Sequence, residues 1–223
     1  MISVNRSLRV AGMLVATILL APAALAGPPL ICHPFTTGAD APLLPWADGN
    51  EWHLPHRGYD RANLVADTLG LLSTDAPILV RMENMRRATI YAEENPAMAA
   101  ELLRTVVART QTKPSDAHVE ALEWFDAGYL VETYRQLGLI YQHGMLPPHD
   151  RWTSLVPAEL VALDGYALVH KAIGLAPDAR AELEFAAALM AREPMTSEHL
   201  RRAASGAAAD SLLAQNLVHY GVR

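Results

Sequence analysis

The chain of 223 residues is long enough for one domain with a substantial apolar core, since 51% of its residues are hydrophobic. It carries 18 basic and 24 acidic residues, which gives a formal net charge of −6. This acidic balance argues against binding to nucleic acid or to anionic lipid surfaces, so we expect a soluble protein that contacts neither.

The first residues have the three parts of a secretory signal peptide. Arg6 and Arg9 precede an apolar run over residues 10–25, and small alanines flank a leucine at 24–26. A positive start, an apolar middle and a small-residue end are typical of a cleaved signal. We therefore predict that residues 1–26 are removed and that the protein is exported to the periplasm or out of the cell. An uncleaved membrane anchor is the alternative, but the run is short for a span.

Residues 27–58 form a proline-rich segment in which neither helical nor alternating periodicity survives. The segment holds six of the fifteen prolines, and proline breaks both helices and central strands. It also holds two of the four tryptophans, Trp46 and Trp52. A free tail would expose these large apolar side chains to water. We therefore predict an ordered strap, residues 27–58, that is laid over a helical body with Trp46 and Trp52 substantially buried.

Residues 59–223 show apolar side chains at helical spacing, interrupted by prolines and capping residues. A short helix is predicted near Leu64 to Leu72, and Pro77 opens the next. Asn95 is the predicted N-cap of a third helix, and Asp116 that of the longest, about 117–141.

Three further helical segments follow a proline-containing loop. They are predicted from Pro157 to about Gly174, from residues 176–178 to about Arg192, and from a cap at Thr196-Ser197 to the C-terminal region, with an interruption near 205–206. No stretch of strict alternation competes with these patterns. The predicted fold class is therefore all-α, and the short connections favour irregular antiparallel helical hairpins, arranged as a bundle or a solenoid.

The second helix concentrates ionic side chains at Arg81, Glu83, Arg86 and Arg87. Glu83 lies three and four positions before two of the arginines, which is the favourable order for intrahelical ion pairs. We predict a solvated or interhelical salt-bridge face. A cluster of arginines that grips an anion is the alternative.

A candidate ligand pocket lies where the strap meets the helices. Aromatic, basic and acidic side chains are crowded there within nine positions, and small-molecule pockets combine apolar walls with a few polar groups. The predicted lining residues are Trp52, His53, His56, Arg57, Tyr59 and Asp60. Alternatively, Trp52 and Tyr59 only anchor the strap, and the polar groups bind neighbouring backbone.

The strap also holds a candidate metal site made of Cys32, His33, His53 and His56. A thiolate and neutral imidazoles are the ligands that zinc or copper prefers. Adjacent residues point apart in an extended chain, so Cys32 and His33 would not both reach one ion. The alternative is a small buried Cys32 with hydrogen-bonded loop histidines. A cysteine nucleophile is a further reading of the same residues.

The motifs that mark common enzymes are missing from the sequence. It has no Gly-x-Ser-x-Gly elbow, no phosphate-binding glycine loop, no His-Glu-x-x-His and no Glu-x-x-His. Stacked helical hairpins often bind other proteins or peptides. We therefore expect a non-catalytic protein that binds a partner protein or peptide. An enzyme or a small-ligand-binding protein that uses the Trp52–Asp60 pocket is the alternative.

Overall fold

The computed structural model describes residues 30–47, 52–73, 75–144 and 154–221. Within these ranges every regular element is helical and no strand occurs, which confirms the predicted all-α class. The α-helices are α1 (Leu64–Leu71), α2 (Ile78–Ala92), α3 (Pro96–Arg109), α4 (Ala117–Gln142), α5 (Gly165–Leu175), α6 (Arg180–Met190), α7 (Met195–Gly206) and α8 (Leu212–His219). The predicted signal peptide, residues 1–26, lies outside the described residues.

Two of the predicted helix starts are confirmed by their capping hydrogen bonds. The Asn95 side chain accepts a hydrogen bond from the Met98 amide at the start of α3. The Asp116 side chain accepts one from the His118 amide at the start of α4. Each bond satisfies an amide that has no partner inside its own helix, which is why these residue types begin helices.

Two predicted starts in the second half of the chain are wrong. Only a short 3-10 helix, Ala158–Leu160, follows Pro157, and α5 begins later, where the Asp164 side chain accepts a hydrogen bond from the Ala167 amide. Thr196 does not cap α7 but lies inside it, where its hydroxyl donates to the Ala191 carbonyl. In both cases another residue stands at the helix start, Asp164 before α5 and Pro194 before α7.

Each helix packs against the next in the chain, and α2 and α4 also contact α6. This arrangement is compatible with a bundle of helical hairpins. Helices α4 and α5 cross closely where two glycines meet. A Cβ atom added to Gly128 would lie 2.5 Å from the Gly165 carbonyl oxygen. Only glycine at this position lets the two backbones approach so closely.

Helix α2 is enclosed on nearly all sides, since every residue in it except Arg87 is buried. The solvated form of the predicted salt-bridge face is wrong, because Arg81, Glu83 and Arg86 have no exposed side-chain surface. Its interhelical form is found in the pair between Arg81 and Asp126 of α4. The predicted intrahelical pairs do form, with Glu83 2.8 Å from Arg86 Nε and 2.7 Å from Arg87 Nε. Buried charges of this kind require partners inside the protein.

One of those partners lies on α4. The Arg81 guanidinium donates to both carboxylate oxygens of Asp126, at 3.0 and 2.7 Å, and also to the carbonyls of Ser73 and Ala76. Both bonds to Asp126 come from the single Nη1 nitrogen, which lies between the two carboxylate oxygens, and the two charges balance each other. The ion pair therefore ties α2 to α4 in the centre of the bundle.

The other partners are main-chain groups of the strap. Asn84 accepts a hydrogen bond from the Leu44 amide at 2.9 Å and donates to the Pro42 carbonyl at 3.0 Å. Glu83 accepts from the Phe35 amide at 3.1 Å. These bonds satisfy both the buried side chains of α2 and backbone groups that have no helical partner.

The described parts of the strap also contact the end of the chain. Asn216 on α8 accepts a hydrogen bond from the Thr36 amide and donates to the Thr36 carbonyl, at 3.0 and 2.9 Å. Trp46 and Trp52 are partly buried against the core. None of the helices in the described ranges combines the length and the apolar character needed to cross a membrane.

Candidate functional site

The aromatic and histidine members of the predicted strap pocket make separate local contacts. Trp52 is half-buried, and its carbonyl oxygen accepts a hydrogen bond from Arg86 at 2.9 Å. His53 is partly buried, and its Nδ1 atom forms no hydrogen bond with the described residues. His56 is exposed, and its Nδ1 atom accepts from the Gly58 amide at 3.2 Å.

The charged and phenolic members bind neighbouring groups in the same way. Tyr59 donates its hydroxyl to Asp67 at 2.8 Å, and Asp60 caps the short helix Arg61–Asn63. Arg57 is exposed. None of the six predicted pocket residues lines the cleft between the strap and α1 or the cleft between α6 and α7.

The four predicted metal ligands are not gathered into one site. Among the described residues, which include all four, no group of three or more His, Cys, Asp or Glu side chains is placed to hold an ion. Burial raises the pKa of the Cys32 thiol to about 11, although the Arg86 charge opposes the rise. The thiol is therefore protonated at neutral pH, whereas metal binding and nucleophilic attack both require the thiolate. His33 packs edge-on against the His219 ring, at 5.3 Å between centroids.

A shallow apolar cleft of about 410 Å³ lies between the strap and α1. Leu43, Leu44 and Pro45 form one wall, and Gly70 and Leu71 are part of the other. Asp67 is the charged side chain among its lining residues. Without converging polar groups, this cleft offers little to orient a ligand.

A second cleft, of about 460 Å³, lies between the start of α6 and the end of α7, and we call it the α6–α7 cleft. Its lining residues are Pro177, Asp178, Arg180, Ala181, Glu184, Arg202, Ser205 and Gly206. The two helices meet closely at its floor, because a Cβ atom on Gly206 would lie 2.8 Å from the Ala181 Cβ. Small residues at the crossing thus bring the longer charged side chains around one cavity.

Glu184 is the buried polar group of this cleft. Its side chain is only 2% exposed, and its Oε2 atom lies 2.6 Å from His199 Nδ1. Its Oε1 atom is also buried but accepts no hydrogen bond from the described residues. Arg180 Nε and Arg202 Nη1 lie 3.6 and 3.8 Å from Oε1, which is beyond hydrogen-bond range. Both distances are within ion-pair range, so the charge of this buried oxygen is compensated by the two arginines without a hydrogen bond.

His199 connects Glu184 to Tyr166 on α5. The imidazole has no exposed surface, and its Nε2 atom lies 2.6 Å from the Tyr166 hydroxyl oxygen. An ionised carboxylate can only accept, so Nδ1 carries the proton that is donated to Glu184. In the neutral imidazole, Nε2 then accepts from the Tyr166 hydroxyl. Burial, followed by the charge of Glu184, raises the pKa of Tyr166, which keeps the hydroxyl protonated as a donor.

The two arginines of the α6–α7 cleft differ in how they are held. Arg180 keeps 62% of its side-chain surface exposed, and Arg202 keeps 39%. Arg202 Nη2 also pairs with Glu198 one turn earlier on α7, at 2.9 Å. Both guanidinium groups therefore lie within ion-pair distance of Glu184 while retaining donors toward solvent.

Sequence reasoning did not single out these residues. Glu184, His199 and Tyr166 lie on three different helices, and no short motif links them. The one available signal was His199 itself, which occupies the buried stripe of α7 with Thr196 and Ala203, at helical spacing. A histidine on such a stripe requires polar partners from other helices, and these could not be named before the packing was known.

Comparison of the chain with protein-family models, with curated protein sequences and with solved structures gives no match. Fold and site together define an all-helical protein with a charged cleft between two neighbouring helices. Its function is therefore inferred from the chemistry of that cleft, which has a buried carboxylate on Glu184 and partly exposed donors on Arg180 and Arg202.

Proposed function

We propose that this protein is an exported helical binding protein that holds a small polar ligand in the α6–α7 cleft. The observation that carries the proposal is the pair of arginines, Arg180 and Arg202, that line this cavity and keep exposed guanidinium surface although both lie within ion-pair distance of the buried Glu184 carboxylate. Neither arginine donates a hydrogen bond to that carboxylate, since both nitrogen–oxygen distances exceed hydrogen-bond range. Their donors are therefore available to an acceptor group of a bound ligand.

The surroundings of Glu184 favour a preformed binding site. His199 holds the other carboxylate oxygen at 2.6 Å and is itself held by Tyr166, so the carboxylate has one orientation. A side chain that is already ordered loses little conformational freedom when a ligand binds. The cavity of about 460 Å³ is within the range of small-molecule sites.

The same contacts favour binding over proton-transfer chemistry. Both ring nitrogens of His199 are already hydrogen-bonded, and the imidazole is fully enclosed. The raised pKa of Tyr166 keeps its hydroxyl protonated at neutral pH. A general base needs a free lone pair within reach of the substrate, and neither group offers one to the cleft.

Export is part of the proposal and is carried by the sequence of residues 1–26. We expect the protein recovered from the envelope or the medium to begin at Gly27. Mass spectrometry of its N-terminal peptide tests this directly. Recovery of the protein from the cytoplasm with residues 1–26 intact would show that the export prediction is wrong.

The predicted protein or peptide partner stays a prediction. The face of α2 that carries Glu83 and Asn84 has the polar groups that would bind an extended peptide, but these already bind the strap of the same chain. The small-ligand function at the α6–α7 cleft is therefore the better supported of the two.

A thermal-shift screen with small polar metabolites tests the proposed function. Arg202→Met removes a cleft guanidinium, and Arg201→Met is the matched control, because both arginines lie on α7 and pair with Glu198. Only Arg202 lines the cleft. We expect at least one compound to raise the Tm of the wild type and of Arg201→Met but not that of Arg202→Met. If no compound does so, or if all compounds act equally on both variants, the cleft is not a ligand site.

A further inference from the structure

We infer that the contact between the strap and α8 is a pH-sensitive switch, which is closed in neutral solution and loosens in mildly acidic solution. The groups that control it are His33 of the strap and His219 at the end of α8. The inference does not depend on the binding function proposed for the α6–α7 cleft.

The contact joins two segments that are 180 positions apart in the sequence. Asn216 of α8 accepts a hydrogen bond from the Thr36 amide at 3.0 Å and donates to the Thr36 carbonyl at 2.9 Å. Three positions away on each side, the His33 ring meets the His219 ring edge-on, with 5.3 Å between the ring centroids. Two imidazoles therefore face each other beside the hydrogen bonds that hold the strap to α8.

The charges that act on His33 are positive. Burial lowers the pKa of His33 below its usual value of 6.5, and the charges of His219 and Arg86 lower it further. Arg86 is paired with Glu83, but both oxygens of that carboxylate already accept hydrogen bonds. No carboxylate is among the described groups whose charge acts on His33. A proton on His33 therefore lies close to like charges without an opposite charge to offset them.

The other titratable neighbours in the strap and α8 are uncharged. Burial raises the pKa of the Cys32 thiol to about 11, and burial also raises the pKa of the Tyr220 hydroxyl, whose ring lies 5.9 Å from that of His33. Among the described residues, no group of three or more His, Cys, Asp or Glu side chains is placed to hold an ion. The protonation of His33 is therefore set by burial and by the two positive neighbours.

The lowered pKa of His33 fixes the direction of the effect. Unfolded or locally opened chain binds this proton at about pH 6.5, whereas the closed protein binds it only at a lower pH. Below pH 6.5 the open form thus binds more protons, and the free energy of opening falls until the pH reaches the pKa of the closed form. The bonds between Thr36 and Asn216 are the contacts nearest in sequence to both imidazoles, so they loosen first.

Hydrogen exchange of the purified protein at two strap amides tests the inference. The Thr36 amide donates to Asn216 of α8, and the Leu44 amide donates to Asn84 of α2, which makes Leu44 a matched internal reference. We expect the protection factor of the Thr36 amide to fall at least about threefold from about pH 7.5 to about pH 5. The protection factor of the Leu44 amide should stay constant. Exposed carboxylates remain mostly ionised in this range.

Three single variants assign the effect to the imidazole pair. His33→Gln should abolish the fall at the Thr36 amide, and His219→Gln should reduce it, because one positive charge is removed from the neighbourhood of His33. His143→Gln is the matched control, since His143 and His219 are both exposed histidines at the C-terminal end of a helix. It should keep the fall of the wild type. An NMR titration of the His33 ring should give a higher pKa in His219→Gln than in the wild type.

Several results would overturn the inference. A protection factor at Thr36 that does not change with pH in the wild type would show that the contact is not a switch. A fall that persists in His33→Gln would assign it to another group, and an equal fall at Leu44 would show a general loss of stability. If His33→Gln does not fold, the NMR titration decides, because the same His33 titration in the wild type and in His219→Gln would contradict the coupling of the two rings.

Discussion

Glu184 and His199 are joined by a 2.6 Å contact between Oε2 and Nδ1, in which both side chains are almost completely buried. The two residues come from neighbouring helices, α6 and α7, so the contact couples the packing of this hairpin to the orientation of the cleft carboxylate. A change at His199 should therefore affect stability and ligand binding together.

We expect His199→Leu to lower the free energy of unfolding by about 1.5–3 kcal/mol, the usual value of a hydrogen bond to a charged group. The substitution leaves a buried carboxylate oxygen without its donor. Urea unfolding followed by circular dichroism measures the change. His170→Leu is the control, since His170 packs on the same Tyr166 ring but is exposed, and we expect a change within about 0.5 kcal/mol. Equal losses in both variants would contradict this role for His199.

The glycine contact between α4 and α5 predicts a strong effect of a single methyl group. Gly128→Ala places a Cβ atom 2.5 Å from the Gly165 carbonyl oxygen, and overpacking of this kind costs about 1–3 kcal/mol. Gly174→Ala, on the same helix pair, meets no atom within 4 Å. Alanine is the better helix former, so Gly174→Ala should be neutral or stabilising by up to about 1 kcal/mol. We therefore expect the unfolding midpoint to fall for Gly128→Ala and to stay unchanged or rise for Gly174→Ala.

The lowered pKa of Glu83 predicts how the free energy of unfolding depends on pH in acidic solution. Burial by itself would raise the pKa of Glu83, but the hydrogen bonds and charges of Arg86 and Arg87 outweigh burial and hold the pKa below its usual value of 4.5. The unfolded chain then binds this proton at a higher pH than the folded protein does. Stability from Glu83 is thus complete above pH 4.5 and is lost as the pH falls through the lower pKa of the folded state.

Urea midpoints measured at several pH values between about 6 and 3 test this dependence. The wild type should lose stability below about pH 4.5, and Glu83→Gln should start less stable and show a flatter acid limb. Glu198→Gln is the control, because Glu198 also pairs with arginines but is more exposed, and it should leave the acid limb nearly unchanged. An acid limb as steep in Glu83→Gln as in the wild type would assign the acid sensitivity to other carboxylates.

The two hydrogen bonds between Asn84 and the strap predict that their loss would loosen the strap locally without unfolding the whole protein. Asn84→Ala removes the acceptor of the Leu44 amide and the donor to the Pro42 carbonyl. An unpaired buried group costs about 1–3 kcal/mol, so we expect faster hydrogen exchange at Leu44 and its neighbours. Asn63→Ala is the control, because Asn63 is exposed and makes no capping bond, and its exchange pattern should match the wild type. Unchanged exchange at Leu44 would show that other contacts hold the strap.

The helical class and several helix starts followed from the sequence because their causes are local. Apolar residues at helical spacing indicate one face of a helix, and Asn95 and Asp116 provide caps through atoms only two or three residues away. The two errors, at Pro157 and Thr196, also have a local cause. A proline or a threonine is compatible with a helix start but does not require one, and in the folded protein other residues stand at the starts of α5 and α7.

Burial of charge was decided only by the tertiary structure. Arg81, Glu83 and Arg86 appear on a helical wheel as an ordinary ionic face, yet they lie inside the protein because the strap and α4 cover α2. Helical periodicity in the sequence indicates which side chains share a face, but it does not indicate which other parts of the chain cover that face. The partners that permit burial are 45 and 48 positions away in sequence.

The candidate site shows the same division. The sequence determined by itself an all-helical protein with a proline-rich strap, because backbone preference, periodicity and capping act over a few residues. Only the tertiary structure assembled Tyr166, Glu184 and His199, with His199 lying 33 and 15 positions after the other two, and placed Glu184 at the α6–α7 cleft. A hydrogen-bonded site depends on how helices cross, and the crossing of α6 and α7 depends on the fit of small residues such as Ala181 and Gly206, which no local pattern reveals.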